Sequence, residues 1–362
     1  MKKIAIMTIK DDNYGNRLQN YAMQKLLSNY NFDVYTLIRR YNFKILSIQK
    51  KFFYKFEKLI STFACFTKKY NIKAKRKLNF IEFNKKIKNV KNEIRKNTNL
   101  ENLEKKFDFF VAGSDQIWNP NLFKDGLDIN MLYFVPFNKK IAISPSIGVD
   151  NLNDYQKKEF CLYLKSFKML SCRENQGSNI ISEITGKECI TLIDPTLMLS
   201  KNEWVQIEKK PSFYIKDKKY ILLYFLGEIT QEYGKFIKFI CEKYNMDIID
   251  ICDKKSVYYS CGPSEFIYMI NHSSLVLTDS FHASVFSYIF DKPLKVFNRI
   301  DGNKNMNSRL INLINVLKLP KSIIFDINDH DVDELFKTPN YDKTNLKKEQ
   351  KKFYNYLNKA FK

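Results

Sequence analysis

Histidine is scarce in this chain, three among 362 residues, and one of the three stands where an imidazole can do chemistry. His282 lies in Thr278-Asp-Ser-Phe-His-Ala-Ser-Val-Phe286, an apolar run that breaks into small and polar residues. That pattern predicts a buried parallel strand ending in a loop that opens a helix. A ring at such a junction faces a cleft, and its ordinary pKa suits proton exchange near neutrality. The competing reading is a helix-capping or core histidine. Phe109-Phe-Val-Ala-Gly-Ser-Asp-Gln-Ile-Trp118 has the same form and delivers Ser114, Asp115 and Gln116 to a second strand end. Asp115 reads either as a base or ligand for a hydroxyl, or as a turn or N-cap residue. Ser114 and Gln116 can bind hydroxyl groups. Arg173 follows the apolar run Met169–Cys172 and precedes Glu174. A planar guanidinium there can grip a carboxylate or phosphate in bidentate fashion, or pair with Glu174. Arg309 either closes over the same anion or anchors its helix. In open α/β sheets ligands gather at the carboxyl ends of strands, so remote strand ends carrying these groups suggest one site built by two domains.

The elements that must position these groups alternate. Lys3–Thr8 reads as a strand, Asp11–Asn16 as a polar loop, Arg17–Tyr30 as an amphipathic helix and Asp33–Leu37 as a second strand. Backbone N–H groups at the helix start can bind an anion. Asn16 and Arg17 stand there as ligand contacts, or as a capped helix with a solvated arginine. Strands are expected at Asp108–Ala112, Ile141–Ser144, Met169–Cys172 and Ile190–Ile193, with a helix at Asp154–Phe167 between them. The polar stretch Ser200–Lys219 reads as an interdomain linker. A second series follows, with strands at Tyr220–Leu226, Met246–Ile251, Ser274–Thr278 and Leu294–Phe297. Right-handed crossovers make both sheets parallel. The expected fold is α/β, two Rossmann-like doubly wound domains facing a cleft in a GT-B-like arrangement. Residues 1–205 would form the first domain, 206–335 the second, and 336–362 a helix crossing back to the first. Segment 43–106 interrupts the first domain. It is rich in Lys and Asn, and Phe52, Phe53, Phe56, Leu59 and Ile60 recur at helical spacing. This predicts a basic helical insertion, solvated or lying on a membrane.

Composition narrows the function classes. No apolar run approaches the roughly 20 residues that span a bilayer. The first ten residues alternate like a strand and carry no cleavage pattern, which points to a cytoplasmic protein. The seven cysteines are scattered without a Cys-x-x-Cys or a Cys/His cluster, so neither a disulfide framework, structural zinc nor another metal site is expected. No Gly-x-Gly-x-x-Gly or Walker loop is present, which argues against nicotinamide or ATP chemistry. The net charge of +22 fits A/T-rich codon usage. The alternative, less favoured, is peripheral contact with the anionic inner face of a membrane. No nucleic-acid-binding module is recognisable. Trp118 could stack on a ligand or anchor the core, and the core is favoured.

Several segments resemble the polysaccharide pyruvyl transferase family. They are Asn13-Tyr-Gly-Asn-Arg-Leu-Gln-Asn-Tyr-Ala22, Gly113-Ser-Asp-Gln-Ile-Trp-Asn-Pro120, Ser171-Cys-Arg-Glu174 and Asp194-Pro-Thr-Leu197. Gly262-Pro-Ser-Glu-Phe266, Thr278-Asp-Ser-Phe-His282 and Asn307-Ser-Arg309 complete the series. The resemblance implies phosphoenolpyruvate as donor, with no separate cofactor. A sugar diol of a glycan or lipid-linked saccharide would be the acceptor, and the products a pyruvate ketal and phosphate. It implies a donor-site role for His282, as acid or phosphate ligand; Asp115, from its place at a strand end, is the second catalytic candidate. Arg173, Ser280 and Arg309 fall to the donor, and Asn16, Arg17, Ser114 and Gln116 to the acceptor. Asp279 and Ser280 either orient His282 or cap its helix, and Glu265 is either a family feature or an early-helix acid. Ala283 departs from the family, where glycine often follows the histidine; the methyl narrows the space beside the site. Two other functions fit the residues. A glycosyltransferase on the same fold would need a pocket for a nucleobase and diphosphate. A non-catalytic basic protein would bind anions or glycans in a salt-sensitive way, without turnover.

Overall fold

The computed structural model describes residues 1–39, 68–90, 94–95, 98–123, 127–213, 219–300, 307–326, 333–336 and 341–362. The insertion's apolar positions from Phe52 to Ile60, and His330, lie outside them.

Two parallel sheets organise the chain. The first contains β1 (Lys3–Met7), β2 (Asp33–Leu37), β3 (Phe109–Ala112) and β4 (Lys140–Ala142), in the order β2-β1-β3-β4. A parallel bridge between Ile141 and Met169 extends it to β5 (Leu170–Cys172) and β6 (Cys189–Thr191). The second contains β7 (Tyr220–Tyr224), β8 (Asp247–Asp250), β9 (Leu275–Thr278) and β10 (Leu294–Val296), in the order β10-β9-β7-β8. Counted from the first strand of each sheet, both begin 2-1-3-4. The strand order therefore reverses between β1 and β3, and again between β7 and β9, leaving a crevice at each carboxyl edge. β3, β7 and β9 are buried along their whole length. Helices cover both faces of a doubly wound sheet, so these strands read as unbroken apolar runs rather than alternating ones.

The longer helices are α1 (Tyr14–Ser28), α2 (Lys68–Asn84), α3 (Asp154–Leu164), α4 (Asn175–Thr185), α5 (Gln231–Tyr244), α6 (Pro263–Asn271), α7 (Phe281–Ile289), α8 (Asn307–Leu317) and α9 (Thr344–Ala360). Short polar side chains start them: Asn13 caps α1, which takes in Tyr14 to Asn16 from the stretch read as loop, Asn153 closes a capping box on α3, and Thr230 caps α5. Glu265 likewise accepts from Gly262 N at 3.1 Å, as an early-helix acid of α6.

Two segments differ from the sequence reading. The stretch read as a polar linker contains a short helix, Lys201–Val205, whose Trp204 is fully buried against Phe286 and Tyr21. One large ring at an otherwise polar address decides its packing, and hydropathy averaged along the segment hides it. Helix α2, read as a decoration of the first domain, grips the second. Phe80 and Phe83 are buried. Arg76 lies over the rings of Tyr14, Phe80 and Tyr259 at 4.5, 4.8 and 4.6 Å. It also donates to Tyr259 O and Cys261 O, both at 3.2 Å. Helix α9 lies on the first sheet, with Tyr356 Oη donating to Ala142 O at 2.6 Å and Phe361 against Phe109. Trp118 is fully buried edge-on to Phe167.

Candidate functional site

The ends of β3, β5, β6 and β9 converge on a buried charged centre. Arg173, just past β5, is 3% exposed and stands among three carboxylates. Its Nη1 is 2.8 Å from Asp194 Oδ2, its Nη2 3.4 Å from Asp115 Oδ1, and its Nε 3.8 Å from Glu174 Oε1. The guanidinium carbon, Cζ, lies 4.6 Å from the Phe281 ring centroid. These charges push Arg173 above its ordinary pKa although burial alone would lower it. His282, in the first turn of α7, places Nε2 3.9 Å from Asp194 Oδ2, without a hydrogen-bond partner for that nitrogen. Burial pulls His282 below its ordinary pKa, against the pull of Asp194 and Asp115. Burial pushes Asp194 upward, but the opposing charges of His282 and Arg173 and the bonds from Thr196 hold it below the usual carboxylate range.

A lattice of uncharged groups fixes this centre. Gln19 Nε2 donates to Thr8 Oγ1 at 2.8 Å, and Gln19 Oε1 accepts from Ser114 N at 3.3 Å. Thr8 Oγ1 donates to Ser114 O at 3.0 Å. The end of β1, the start of α1 and the end of β3 are thereby tied together. Ser114 Oγ lies 2.9 Å from Ser144 O and 3.1 Å from Asp194 Oδ2, and the residue is fully buried. Assigned to an acceptor from the sequence, its hydroxyl instead braces Asp194. Asp115 adopts φ +64 and turns the chain back, its carboxylate accepting from Gln116 N at 2.9 Å.

The first turn of α1 meets the second domain at His282. A Cβ on Gly15 would stand 2.1 Å from His282 Nδ1 and 2.5 Å from its Cγ, so only glycine lets the ring lie flat on the helix start. Asn16, its neighbour, is 9% exposed. Arg17 is not the solvated residue of one sequence reading. It is 1% exposed, donates from Nη2 to Ile9 O at 2.6 Å, and leaves Nε and Nη1 buried without partners. Burial lowers its pKa to about 10, against the pull of Asp11, Asp12 and Asp115. From the second domain, α8 brings Arg309 into the field of Arg173, Asp115 and Glu174. Burial, and then the like charge of Arg173, lower it to about 10. Ser280 caps α7 through Ala283 N at 3.5 Å. Asp279 binds Leu226 N at 2.8 Å and Gly227 N at 2.7 Å, holding the loop after β7. Its carboxylate therefore does not orient the imidazole. Gln116 is buried behind Gly148, and a Cβ there would meet its Nε2 at 2.3 Å.

Beside this centre lies an open cleft of about 320 Å³, lined by Gly148, Glu174, Gln176, Asn312, Asn315 and Ile311 among others. That is within the ~300–1,000 Å³ typical of small-molecule sites. Amides and one carboxylate dominate its polar lining. Asn312 joins it to the centre by donating to Arg173 O at 3.3 Å. Among the described residues, no group of three or more His, Cys, Asp or Glu is placed to hold a metal ion. No helix there is long and apolar enough to cross a membrane, and the six described cysteines are free thiols.

The structure brings together His282, Asp115, Arg173 and Arg309, with Ser114 beneath them and Arg17 on the far side of Asp115. It adds two residues that sequence reasoning did not assign. Asp194 joins Arg173, Ser114 and His282; in the sequence it stood only within the family-like segment Asp194-Pro-Thr-Leu197, with no role assigned. Gly15 was visible as the glycine of a polar loop, with nothing to show what faced it.

Comparison with solved structures agrees with this architecture. A putative UDP-N-acetylglucosamine 2-epimerase from Listeria monocytogenes aligns over 100% of this chain and 97% of its own, with TM-score 0.53 and 11% identity. The Staphylococcus aureus MnaA–UDP structure aligns over 99% and 97%, with TM-score 0.49 and 13% identity. The first likeness, at 11% identity, speaks to fold alone, a GT-B-like pair of Rossmann-like domains. No curated protein matches the chain by sequence. The pattern of the family described as polysaccharide pyruvyl transferase, however, matches residues 13–302, from the cap of α1 to beyond β10. With that span covering every strand end that builds the charged centre, the chain belongs to the polysaccharide pyruvyl transferase family.

Proposed function

We propose that the enzyme transfers the pyruvyl group of phosphoenolpyruvate to two hydroxyls of a sugar in a polysaccharide precursor. One observation carries the reading. Where two sheets face each other, His282 lies 3.9 Å from Asp194 with its Nε2 unpartnered, beside the Arg173–Asp194–Asp115 cluster, and the buried cations Arg17 and Arg309 stand in the field of Asp115. Such a site gains by taking in an anion with both a carboxylate and a phosphate.

The chemistry balances as follows. The methylene carbon of the donor gains a proton, which leaves C2 an oxocarbenium-like electrophile. One sugar hydroxyl bonds to C2 and loses its proton. The C2–O bond to phosphate breaks, and the second hydroxyl closes the ketal. Of the two protons released by the hydroxyls, one replaces that spent on the methylene and one leaves on phosphate. His282 is the proton donor or phosphate ligand, becoming protonated as the anionic donor enters. Asp115 is the base for the attacking hydroxyl. Asp194 is a positioning residue acting through Arg173 and His282. The amide-lined cleft beside Glu174 suits a neutral sugar.

Calorimetric titration with phosphoenolpyruvate and with a set of nucleotide sugars tests the reading. Saturable binding of phosphoenolpyruvate is expected, about ten- to a hundredfold weaker in His282→Ala, the range of a lost hydrogen bond to a charged group. Tighter binding of a nucleotide sugar would reassign the protein to glycosyl transfer. Equal, salt-sensitive binding of every anion, indifferent to His282, would leave a basic binding protein.

A further inference from the structure

The positive charge of this chain is not spread evenly. Residues 43–106 hold 19 Lys and Arg against 5 Glu, so 64 residues carry +14 of the net +22. Codon drift alone would distribute lysine throughout; concentration in one insertion requires another cause. The described part of the insertion shows where some of the charge points. Helix α2 has two opposed faces. Arg76, Asn79, Phe80 and Phe83 hold the second domain, with Asn79 Nδ2 donating to Ser260 O at 2.8 Å. On the other side, Lys73, Lys77 and Ile81 follow one another at four-residue spacing, Lys85 stands in the turn just past the helix end, and all are exposed. Leu78 flanks them. Leu78 is 63% exposed and Ile81 48%.

We infer that this outer face of α2 docks the enzyme on an anionic lipid surface. Aliphatic side chains set among lysines match such a surface on both counts: the lysines meet headgroup phosphates, and Leu78 and Ile81 enter the acyl boundary. A nucleic acid would leave the aliphatic pair unused, because base recognition calls on aromatic stacking and arginine forks. The face is also close to the charged centre. Arg76, on the inner side of the same helix, stacks on Tyr14, and the next residue, Gly15, is covered by the ring of His282. The inference concerns where the protein sits and stands whether or not phosphoenolpyruvate is the donor.

Flotation with phosphatidylcholine vesicles, with and without phosphatidylglycerol, tests it on the full chain. Binding is expected only to the anionic vesicles and should weaken with salt. Lys73→Gln with Lys85→Gln should weaken it about thirtyfold, from about fivefold per lysine near a charged surface. Leu78→Ser with Ile81→Ser should weaken it about tenfold or more. Lys235→Gln with Lys254→Gln, equal in charge but exposed on the second domain, should leave binding unchanged. All the altered positions are exposed, so thermal melts should match wild type and exclude misfolding as the cause. Equal binding to neutral vesicles would overturn the inference. So would equal loss in the second-domain control, or α2 variants that keep vesicle binding while losing affinity for RNA.

Discussion

Gly15→Ala is the smallest change that should disable this site. A methyl group at Gly15 would lie 2.1 Å from His282 Nδ1, 2.5 Å from Cγ and 2.6 Å from Cε1. An ordinary contact there is ~3.4 Å, so the ring must retreat by about 1.3 Å or the two domains must part by as much. Displacements of about 1 Å in catalytic geometry commonly cost ~10²-fold. The affinity for phosphoenolpyruvate should fall by about one to two orders of magnitude, the range of a lost hydrogen bond from His282 to a charged group. Stability should change little, because the overpacking cost of ~1–3 kcal/mol is partly offset by replacing a helical glycine. Calorimetry with phosphoenolpyruvate reads the first effect and urea unfolding the second. Gly234, within α5, supplies the control: a Cβ there meets nothing within 4 Å. Gly234→Ala should stabilise by about 0.5–1 kcal/mol and leave binding intact. Wild-type donor affinity in Gly15→Ala would refute the argument that His282 must lie on the start of α1 to engage the donor.

Other consequences follow from the same packing. Arg173→Met would strand Asp194, Asp115 and Glu174 in the interior and should cost about 3–5 kcal/mol in urea unfolding; an unfolding midpoint equal to wild type would refute its central place. His282 is held below its ordinary pKa by burial, so below about pH 6.5 the unfolded chain takes up a proton that the folded one refuses. Wild type should lose stability as pH falls through that window while His282→Gln stays flatter, and parallel profiles would rule this out. Arg76→Ala removes a guanidinium from three rings and two carbonyls between the domains. It should cost about 2 kcal/mol or more and expose the domain junction to proteolysis; an unaltered digestion pattern would show that α2 does not hold the domains together.

Much of the scaffold was legible because it depends on local rules. Apolar runs such as Phe109–Ala112 and Leu275–Thr278 mark strands buried on both faces, and Asn13, Asn153 and Thr230 mark helix starts through their own side chains. His282 and Asp115 were legible for the same reason, since each follows a strand that had to end. The grip of α2 on the second domain was not legible, because helical periodicity shows that a face is apolar without naming what covers it.

Asp194 shows where the boundary falls within one side chain. Its Oδ1 accepts from Thr196 N at 3.0 Å and Thr196 Oγ1 at 2.7 Å, a local cap announced by an aspartate before a proline. Its Oδ2 meets Arg173 at 2.8 Å and Ser114 at 3.1 Å, 21 and 80 residues away, and faces His282 in the other domain. The sequence determined the first oxygen's partners, because a cap reaches only two or three residues. The second oxygen's partners were decided only when two sheets packed edge to edge, bringing strand ends from remote parts of the chain to one buried point.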